Sequence, residues 1–565
     1  MYRRFHHLLL QGFIACSLMT TSWVKAQPIE PSSPDSVDAQ HIARQVLNRR
    51  PQYAQLQGKA YQSTQSIKPF VTEWQTDQAG QTIHIGLLPG VAYDFVIDWG
   101  DGSNPEHYQG KVLQKIQHTY SQKDQYTVTI TPQRPQGFSA IVMGSDAISS
   151  ADQQALRVIK QWGDASWLTL KSAFAGCRQL DVKATDTPNL QRTYTMANMF
   201  YGDIHLKGNK HFDAWDTAHV ANMTGVFHGA IHFNQPVDDW DTSNVQFMDR
   251  MFSQAEDFNQ PLKDWDTGQV KDMAHMFDHA QSFNQPINSW DTSHVEAMQG
   301  MFAFAKSFNR PLNNWDTSHA ILMQQMFRGA HNFNQPLNNW NTSHVTTMAQ
   351  MFRAAAQFNQ PLDQWDTAQV ADMHAMFRGA RDFNQPIGEW DTHQVFNMAS
   401  MFAFADAFNQ PLGQWNTSNV LDMSSMFQGA QSFNQPIGQW DTSQVGNMAW
   451  MFANARDFNQ PLNHWQTQNV RCMTGLFLNA ASFDQSLDNW QISQLRQAKQ
   501  MLKGSNLSTK HYSQILINWA QQDDIHHQVT FGAGHIQYNA SAKAAHKQLT
   551  SPSQADWTIH DGGLQ

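Results

Sequence analysis

Tryptophan returns every twenty-five residues from Trp215 to Trp490, without one insertion or deletion in the run. Twelve of the 20 tryptophans are spent this way. Phenylalanine keeps the same step in two further columns, Phe252 to Phe477 and Phe258 to Phe483. One unit reads Val270-Lys-Asp-Met273-Ala-His-Met276-Phe277-Asp-His-Ala280-Gln-Ser-Phe283-Asn-Gln-Pro286-Ile287-Asn-Ser-Trp290-Asp291-Thr292-Ser293-His294. A constant period means that each unit occupies the same space as its neighbour and buries its apolar face against it. The fold class expected is an α/β solenoid of 25-residue coils.

Within a unit the apolar positions Val270, Met273, Met276, Phe277, Ala280 and Phe283 fall three and four apart. That spacing predicts a short helix or 3₁₀ segment with one buried stripe. Asp266 and Thr267 would supply its N-cap oxygens. Pro286 would end it and open a short extended stretch toward Trp290. Coils would then stack about 4.8 Å apart. The Trp and Phe columns read as core. The Asn column (Asn234 to Asn459, then Asp484) reads as satisfying backbone groups of the next coil. Asp follows Trp in eight units and an amide in four (Asn341, Asn416, Gln466, Gln491), a tolerance that favours capping over calcium. Two degenerate coils precede the array, since Phe174-Ala-Gly-Cys177 echoes Phe227-His-Gly-Ala230. Cys177 and Cys472 stand near opposite ends and are not expected to pair.

The flanks differ in character. Residues 1–26 carry Arg3-Arg4, an apolar stretch and Val24-Lys25-Ala26, the pattern of a cleaved signal peptide. Lipidation at Cys16 and a membrane anchor are the alternatives. Residues 27–68, rich in Gln, Ser and Pro, read as a polar linker. From residue 69 to 145, runs such as Tyr93-Asp-Phe-Val-Ile97 and Tyr126-Thr-Val-Thr-Ile130 alternate between Gly/Asp turns, which predicts a small antiparallel β-sandwich. The array with its degenerate coils takes residues 146–505. Residues 506–565 predict a helix from Ser508-Thr509 through Trp519, a strand near Val529-Thr-Phe531, a second helix near Ala540 to Leu549 and a strand at Trp557-Thr-Ile559, together a mixed α/β C-terminal cap.

The 25-residue unit resembles the repeat of BspA-like leucine-rich-repeat surface proteins, which is also abundant in mycoplasma surface lipoproteins. Asp98-Trp-Gly-Asp-Gly-Ser103, His118-Thr-Tyr120 and Tyr126-Thr-Val-Thr-Ile130 are similar to a polycystic-kidney-disease-type β-sandwich, and Asp556-Trp-Thr-Ile-His-Asp-Gly-Gly563 to the usual C-terminal end of that family. The resemblance covers residues 70 to 565. It implies a leucine-rich-repeat-like array in a secreted or surface-displayed protein of adhesion or protein–protein interaction.

Charge and site chemistry bound the function. Lys and Arg number 37 against 47 Asp and Glu, a net −10 that disfavours a nonspecific grip on nucleic acid or anionic lipid. Nowhere after residue 26 is there a run of 18 apolar residues, so no transmembrane helix is expected in the mature chain. No nucleophile elbow, His-Glu-x-x-His, phosphate-cradling loop or Cys/His constellation appears. No catalytic residue, cofactor or metal is therefore expected. The reading is a monomeric, non-enzymatic binding protein for a large partner, a surface protein or a glycan. A secreted polysaccharide-acting enzyme or its accessory subunit is the alternative. The candidate binding residues directly precede the Trp column: Asp239, Asp264, Ser289, Asn314, Asn339, Gln364, Glu389, Gln414, Gln439 and His464. They vary in identity while staying polar, and stacking would align them into one exposed strip. A second strip holds His294, His319 and His344 in consecutive coils, read mainly as solvated.

Overall fold

A computed structural model describes residues 67–111 and 114–565. The signal-peptide reading of residues 1–26, with Cys16, lies outside the described residues, as does all but the end of the linker. The described residues belong to one compact unit.

The alternating N-terminal runs form strands β1 (Phe70–Gln75), β2 (Gln81–Gly86), β3 (Ala92–Asp98), β4 (Glu106–Lys111), β5 (Lys115–Tyr120) and β6 (Gln125–Pro132). β1 buries Phe70, Thr72 and Trp74 while its intervening residues stay part-exposed, the period-2 signature read from the sequence. β2 and β5 make an antiparallel pair. The larger sheet has the order β4-β3-β6-β1-β7-β8 and takes in β7 (Leu156–Gln161) and β8 (Asp181–Val182). β7 pairs antiparallel with β1 and parallel with β8, so this sheet continues past residue 145 into the first coils. Helix α1 (Ser150–Ala155) leads into β7, with Ser149 and Asp152 forming a reciprocal capping box. Phe70, Trp162 and Trp167 pack face and edge at this junction, and Trp162 meets Trp215 edge-on at 5.4 Å.

The repeat array departs from expectation in its local structure. Among the described residues no unit contains a regular helix, and each contributes one bridging residue, as in Asp272↔Ala297↔Leu322↔Thr347, rather than a strand. The three-and-four spacing instead marks a run of tight turns: Met276, Asp278 and Ala280 donate to the carbonyls three residues back, at 3.2, 3.1 and 3.0 Å. Two residues per unit sit in the left-handed region, at the columns of His275 (φ 56°) and His279 (φ 61°), and these break helical propagation. With helix removed, the alternate N–H groups turn to the next coil. Met273, His275, Phe277 and His279 donate to Ala297, Gln299, Met301 and Ala303 at 3.0, 2.8, 2.9 and 2.7 Å. The α/β class is thus corrected to an array of turns and bridges with few helices. Asp266 caps a turn, its Oδ1 accepting from Gly268 N–H at 3.0 Å. The stretch after Pro286 builds no ladder, because proline lacks the donor and side chains hold the coils together instead.

The columns behave as core. Phe277, Met273, Met276 and Phe283 are wholly buried and Trp290 is 2% exposed. Each indole N–H from Trp240 to Trp490 donates to a carbonyl of the preceding coil, as Trp340 does to Leu312 at 3.0 Å. The Asn column satisfies the next coil: Asn334 Oδ1 accepts from Asn359 N–H and from Gln360 Nε2, both at 3.0 Å. Thr367 donates to the Asp391 carbonyl at 2.8 Å.

Ring stacking between coils is not uniform. Between one pair of coils, ring centroids lie 5.6 Å apart at Phe352–Phe377, 6.0 Å at Phe358–Phe383 and 6.4 Å at Trp365–Trp390. A pure translation would give equal distances at all three. Each coil is therefore also rotated against the last, with the turn side closer-set than the Trp side.

Beyond the last coil come α2 (Thr509–Ala520), β9 (Thr530–Gly532), α3 (Lys543–Thr550) and β10 (Thr558–His560). Ser508 caps α2 by accepting from His511 N–H. β9 and β10 run parallel, and β9 docks on the terminal coil, where Ala498 N–H meets the Thr530 carbonyl and Leu502 N–H the Gly532 carbonyl. Among the described residues no helix is long and apolar enough to cross a membrane.

Candidate functional site

Every residue of the strip before the Trp column is exposed: Asp239, Asp264, Ser289, Asn314, Asn339, Gln364, Glu389, Gln414, Gln439 and His464. The structure lines them up coil by coil, and the preceding column holds their backbone. Asp213, Asp238, Asn288 and Asn338 accept the N–H groups of Asp239, Asp264, Asn314 and Gln364 at 3.1, 3.2, 2.9 and 3.1 Å. Half of the strip's side chains make bonds within the chain, among them Ser289 to the Lys263 carbonyl at 3.3 Å and Asn314, which accepts from Asn313 Nδ2 at 3.1 Å. Lys263 pairs with Asp264, Gln364 donates to Asp363 at 2.8 Å, and Asn339 donates to the Asn313 carbonyl. The histidine strip is also exposed, with the rings of His294 and His319 stacked at 6.5 Å. Each of its three rings faces the serine before it, and among the described residues no cluster of His, Cys, Asp or Glu could hold a metal ion.

A second face went unnoticed in the sequence. On the closer-set turn side, Arg328, Arg353 and Arg378 occupy one column in three consecutive coils, each half-buried. Ala303 and Ala403 bracket them in the same column. Arg328 lies over the Phe304 ring at 5.1 Å and Arg378 over Phe404 at 5.5 Å. Arg328 and Arg353 donate to Gln325 and Gln350 at 3.2 and 2.9 Å. Burial, and for Arg353 the neighbouring guanidinium charges, depresses the pKa of Arg353 and Arg378. Beside the arginines lies a shallow depression of about 330 Å³, edged by Asp372, His374, Asn397, Ser400 and Asp422. Its acids are already engaged. Asp372 faces His374 Nδ1 at 2.9 Å, and Asp422 accepts from Ser424 N–H at 2.7 Å and Asn447 Nδ2 at 3.2 Å. Next to Asn397 and Asp422 in the chain, Phe396 and Leu421 are 38% and 49% exposed. The signal was present as a three-coil run of Arg at the repeat step, but columns common to all twelve units drew the reading away from it.

On the first sheet, His118 bonds Asp101 at 2.8 Å and stacks on Trp99 at 5.0 Å, while Tyr120 donates to the Trp99 carbonyl at 2.9 Å. The His118 contact and hydrogen bonds from Ser103 outweigh burial and hold Asp101 at about 2. This is a turn lock. In the degenerate coils, Asp203 is fully buried and neither carboxyl oxygen has a hydrogen-bond partner. Burial drives its pKa far up, beside the buried Cys177.

A family model described as Mycoplasma protein of unknown function, DUF285, matches residues 168–284, 260–361, 323–424 and 403–519, together more than half of the chain. No curated protein matches the chain.

Proposed function

This chain belongs to the DUF285 family of repeat proteins, and from that premise we propose that it is a non-enzymatic binding protein, secreted or displayed at the cell surface, that offers its array to a large partner. The observation that carries the reading is the division of labour within each unit. Buried columns absorb the repeated apolar and amide residues, while the residues before Trp stay exposed, polar and aligned over ten coils. Such a strip repeats one hydrogen-bonding surface at a fixed step, which suits an extended ligand better than a single reacting centre. In this reading the coils form a leucine-rich-repeat-like solenoid and the protein works as a monomer. The N-terminal strands act as a polycystic-kidney-disease-type sandwich that sets the array off from its attachment, supported by the Trp99–His118–Asp101 lock at the turn quoted for that resemblance.

The test is a glycan and protein array probed with the purified chain from residue 27. Binding to at least one extended partner is expected. Replacing Asn314, Asn339 and Gln364 together by Ala should weaken that binding about tenfold or more, the loss of two or three modest hydrogen bonds. Retention by no partner, together with hydrolytic activity on a polysaccharide, would overturn the reading.

A further inference from the structure

We propose that the Arg328–Arg353–Arg378 ladder, with Phe304 and Phe404 at its two ends and the depression beside it, is a binding site for a linear acidic polysaccharide. The proposal rests on the binding reading above and assigns it a ligand class and a second face.

The fold leaves one charge arrangement unresolved. Three guanidinium groups, one coil apart and half withdrawn from water, repel one another, and like charges at such spacing are unfavourable. Arg250, by contrast, meets Asp249 at 3.3 Å. Among the described residues no carboxylate stands within ion-pair distance of Arg328, Arg353 or Arg378. The two acids on the rim, Asp372 and Asp422, are held by His374, Ser424 and Asn447. Amide oxygens of Gln325 and Gln350 hold two of the arginines in place without neutralising them. Asp372 and Asp422 temper the depression beside Arg353 and Arg378, but among the described residues no carboxylate pairs directly with any rung.

The spacing narrows the choice of anion. Phe327–Phe352 and Phe352–Phe377, immediately before the arginines in the chain, are each 5.6 Å apart. An extended peptide brings same-face side chains back about every 6.6–6.8 Å, longer than this step. A sugar unit in a 1,4-linked chain advances by about one coil, so uronate carboxylates or sulfate groups on successive units would meet successive arginines. Guanidinium forks match such oxyanions two bonds at a time. Asn397 and Ser400 in the depression are suited to ring hydroxyls. Ala303 and Ala403 end the arginine column, which limits the site to three charged rungs.

The experiment measures binding of the purified chain to polygalacturonate, to its methyl-esterified form and to dextran sulfate. The wild type should bind the first and third and leave the ester, with binding lost near 1 M salt, where the screening length falls to about 3 Å. Retention by only one of the two polyanions identifies the anionic group as carboxylate or sulfate. Each single Arg→Gln change should weaken binding about tenfold, and Arg328→Gln, Arg353→Gln and Arg378→Gln combined by at least 100-fold. The combined Arg→Lys variant keeps charge but loses the fork, and should recover only part. The Gln variant loses both the like-charge repulsion and the contacts over Phe304 and Phe404, so its melting temperature is measured alongside, and the Arg→Lys variant separates lost binding from lost folding. Equal affinity for the ester, or full binding by the combined Gln variant, overturns the proposal. So does binding of a neutral glycan or a protein with no binding of either polyanion, an outcome that leaves the broader reading standing. A chain that binds nothing on any array sinks both.

Discussion

Left-handed residues set the local geometry, and two columns per coil require them. Glycine fills only some of these positions, such as Gly300, Gly329 and Gly475; Phe304, Phe404, Trp450 and Ala375 fill others at φ between 51° and 62°. A large side chain then folds over the glycine of the next coil. A Cβ on Gly475 would lie 2.4 Å from the Trp450 ring. Gly475→Ala should therefore cost about 2–3 kcal/mol, from both left-handed strain and overlap, read as a drop in chemical-denaturation midpoint. Ala375→Gly, which only relieves strain, should be neutral or stabilising by up to about 1 kcal/mol. The scattered glycines were visible in the sequence, yet their meaning was not. Only the alternation of turn and left-handed residue shows why a three-and-four apolar pattern failed to become helix. Asp203 makes a second residue-scale case. Its folded pKa lies far above the unfolded value of about 3.9, so its protonated form contributes stability below that pH that is lost progressively as pH rises. Asp203→Asn should flatten the fall in melting temperature between pH 4 and 8; an unchanged slope would show that Asp203 is not its source.

Among the elements, the cap was the most legible. The Ser-Thr cap marked the start of α2, and the strand at β9 and the helix at α3 also fall where the sequence placed them, because these segments follow ordinary local rules. The tie between cap and array was not. Asp484, which stands where the Asn column would continue, accepts from Ser508 N–H and faces His511, each at 2.8 Å. Burial alone would raise this carboxyl, but these hydrogen bonds outweigh it and hold its pKa low. Its contribution is then present above the unfolded value and is lost as pH falls below about 4. Asp484→Ala should expose α2 amides to hydrogen exchange ahead of the central coils, whereas the wild type should show that order only in acid. Equal exchange in cap and array would contradict it. The domain break near residue 145 illustrates the opposite limit. Composition changes there, but β7 pairs back onto β1, a long-range pairing that no local pattern announces.

For the molecule as a whole, the period predicted a repeat array because neighbour contact is all that an exact repeat needs. It also predicts how the molecule fails. Trp340 is 2% exposed and stacks on Trp315 at 6.3 Å, and Trp340→Ala should remove about 3–5 kcal/mol by opening a cavity and losing the indole bond to the Leu312 carbonyl. Since stability in such arrays is a sum of neighbour terms, that loss should split one unfolding transition into two, with exchange fastest in the coils beside residue 340. A uniform shift of a single transition would instead mean that coupling extends over the full array.

The backbone hydrogen bonds between coils run mostly one way, with the minority, such as Lys271 N–H to the Gln246 carbonyl and Ser282 N–H to the Glu256 carbonyl, pointing back. In most coils four peptide groups, as at Met273, His275, Phe277 and His279, aim N–H toward the C-terminal neighbour and C=O toward the N-terminal one, from Leu170 onward. The stack is thus a polar track with a donor terminus and an acceptor terminus, like a filament with plus and minus ends. At the acceptor terminus, Met143 N–H and Gln153 Nε2 stop the track on the Ala173 and Ala175 carbonyls. At the donor terminus β9 does so on Ala498 and Leu502. Stripped of both stoppers, the track should polymerise head to tail and never head to head, since only unlike termini complement each other. A fragment of residues 190–505 should form fibres of single polarity under the electron microscope, and adding back residues 506–565 should terminate them.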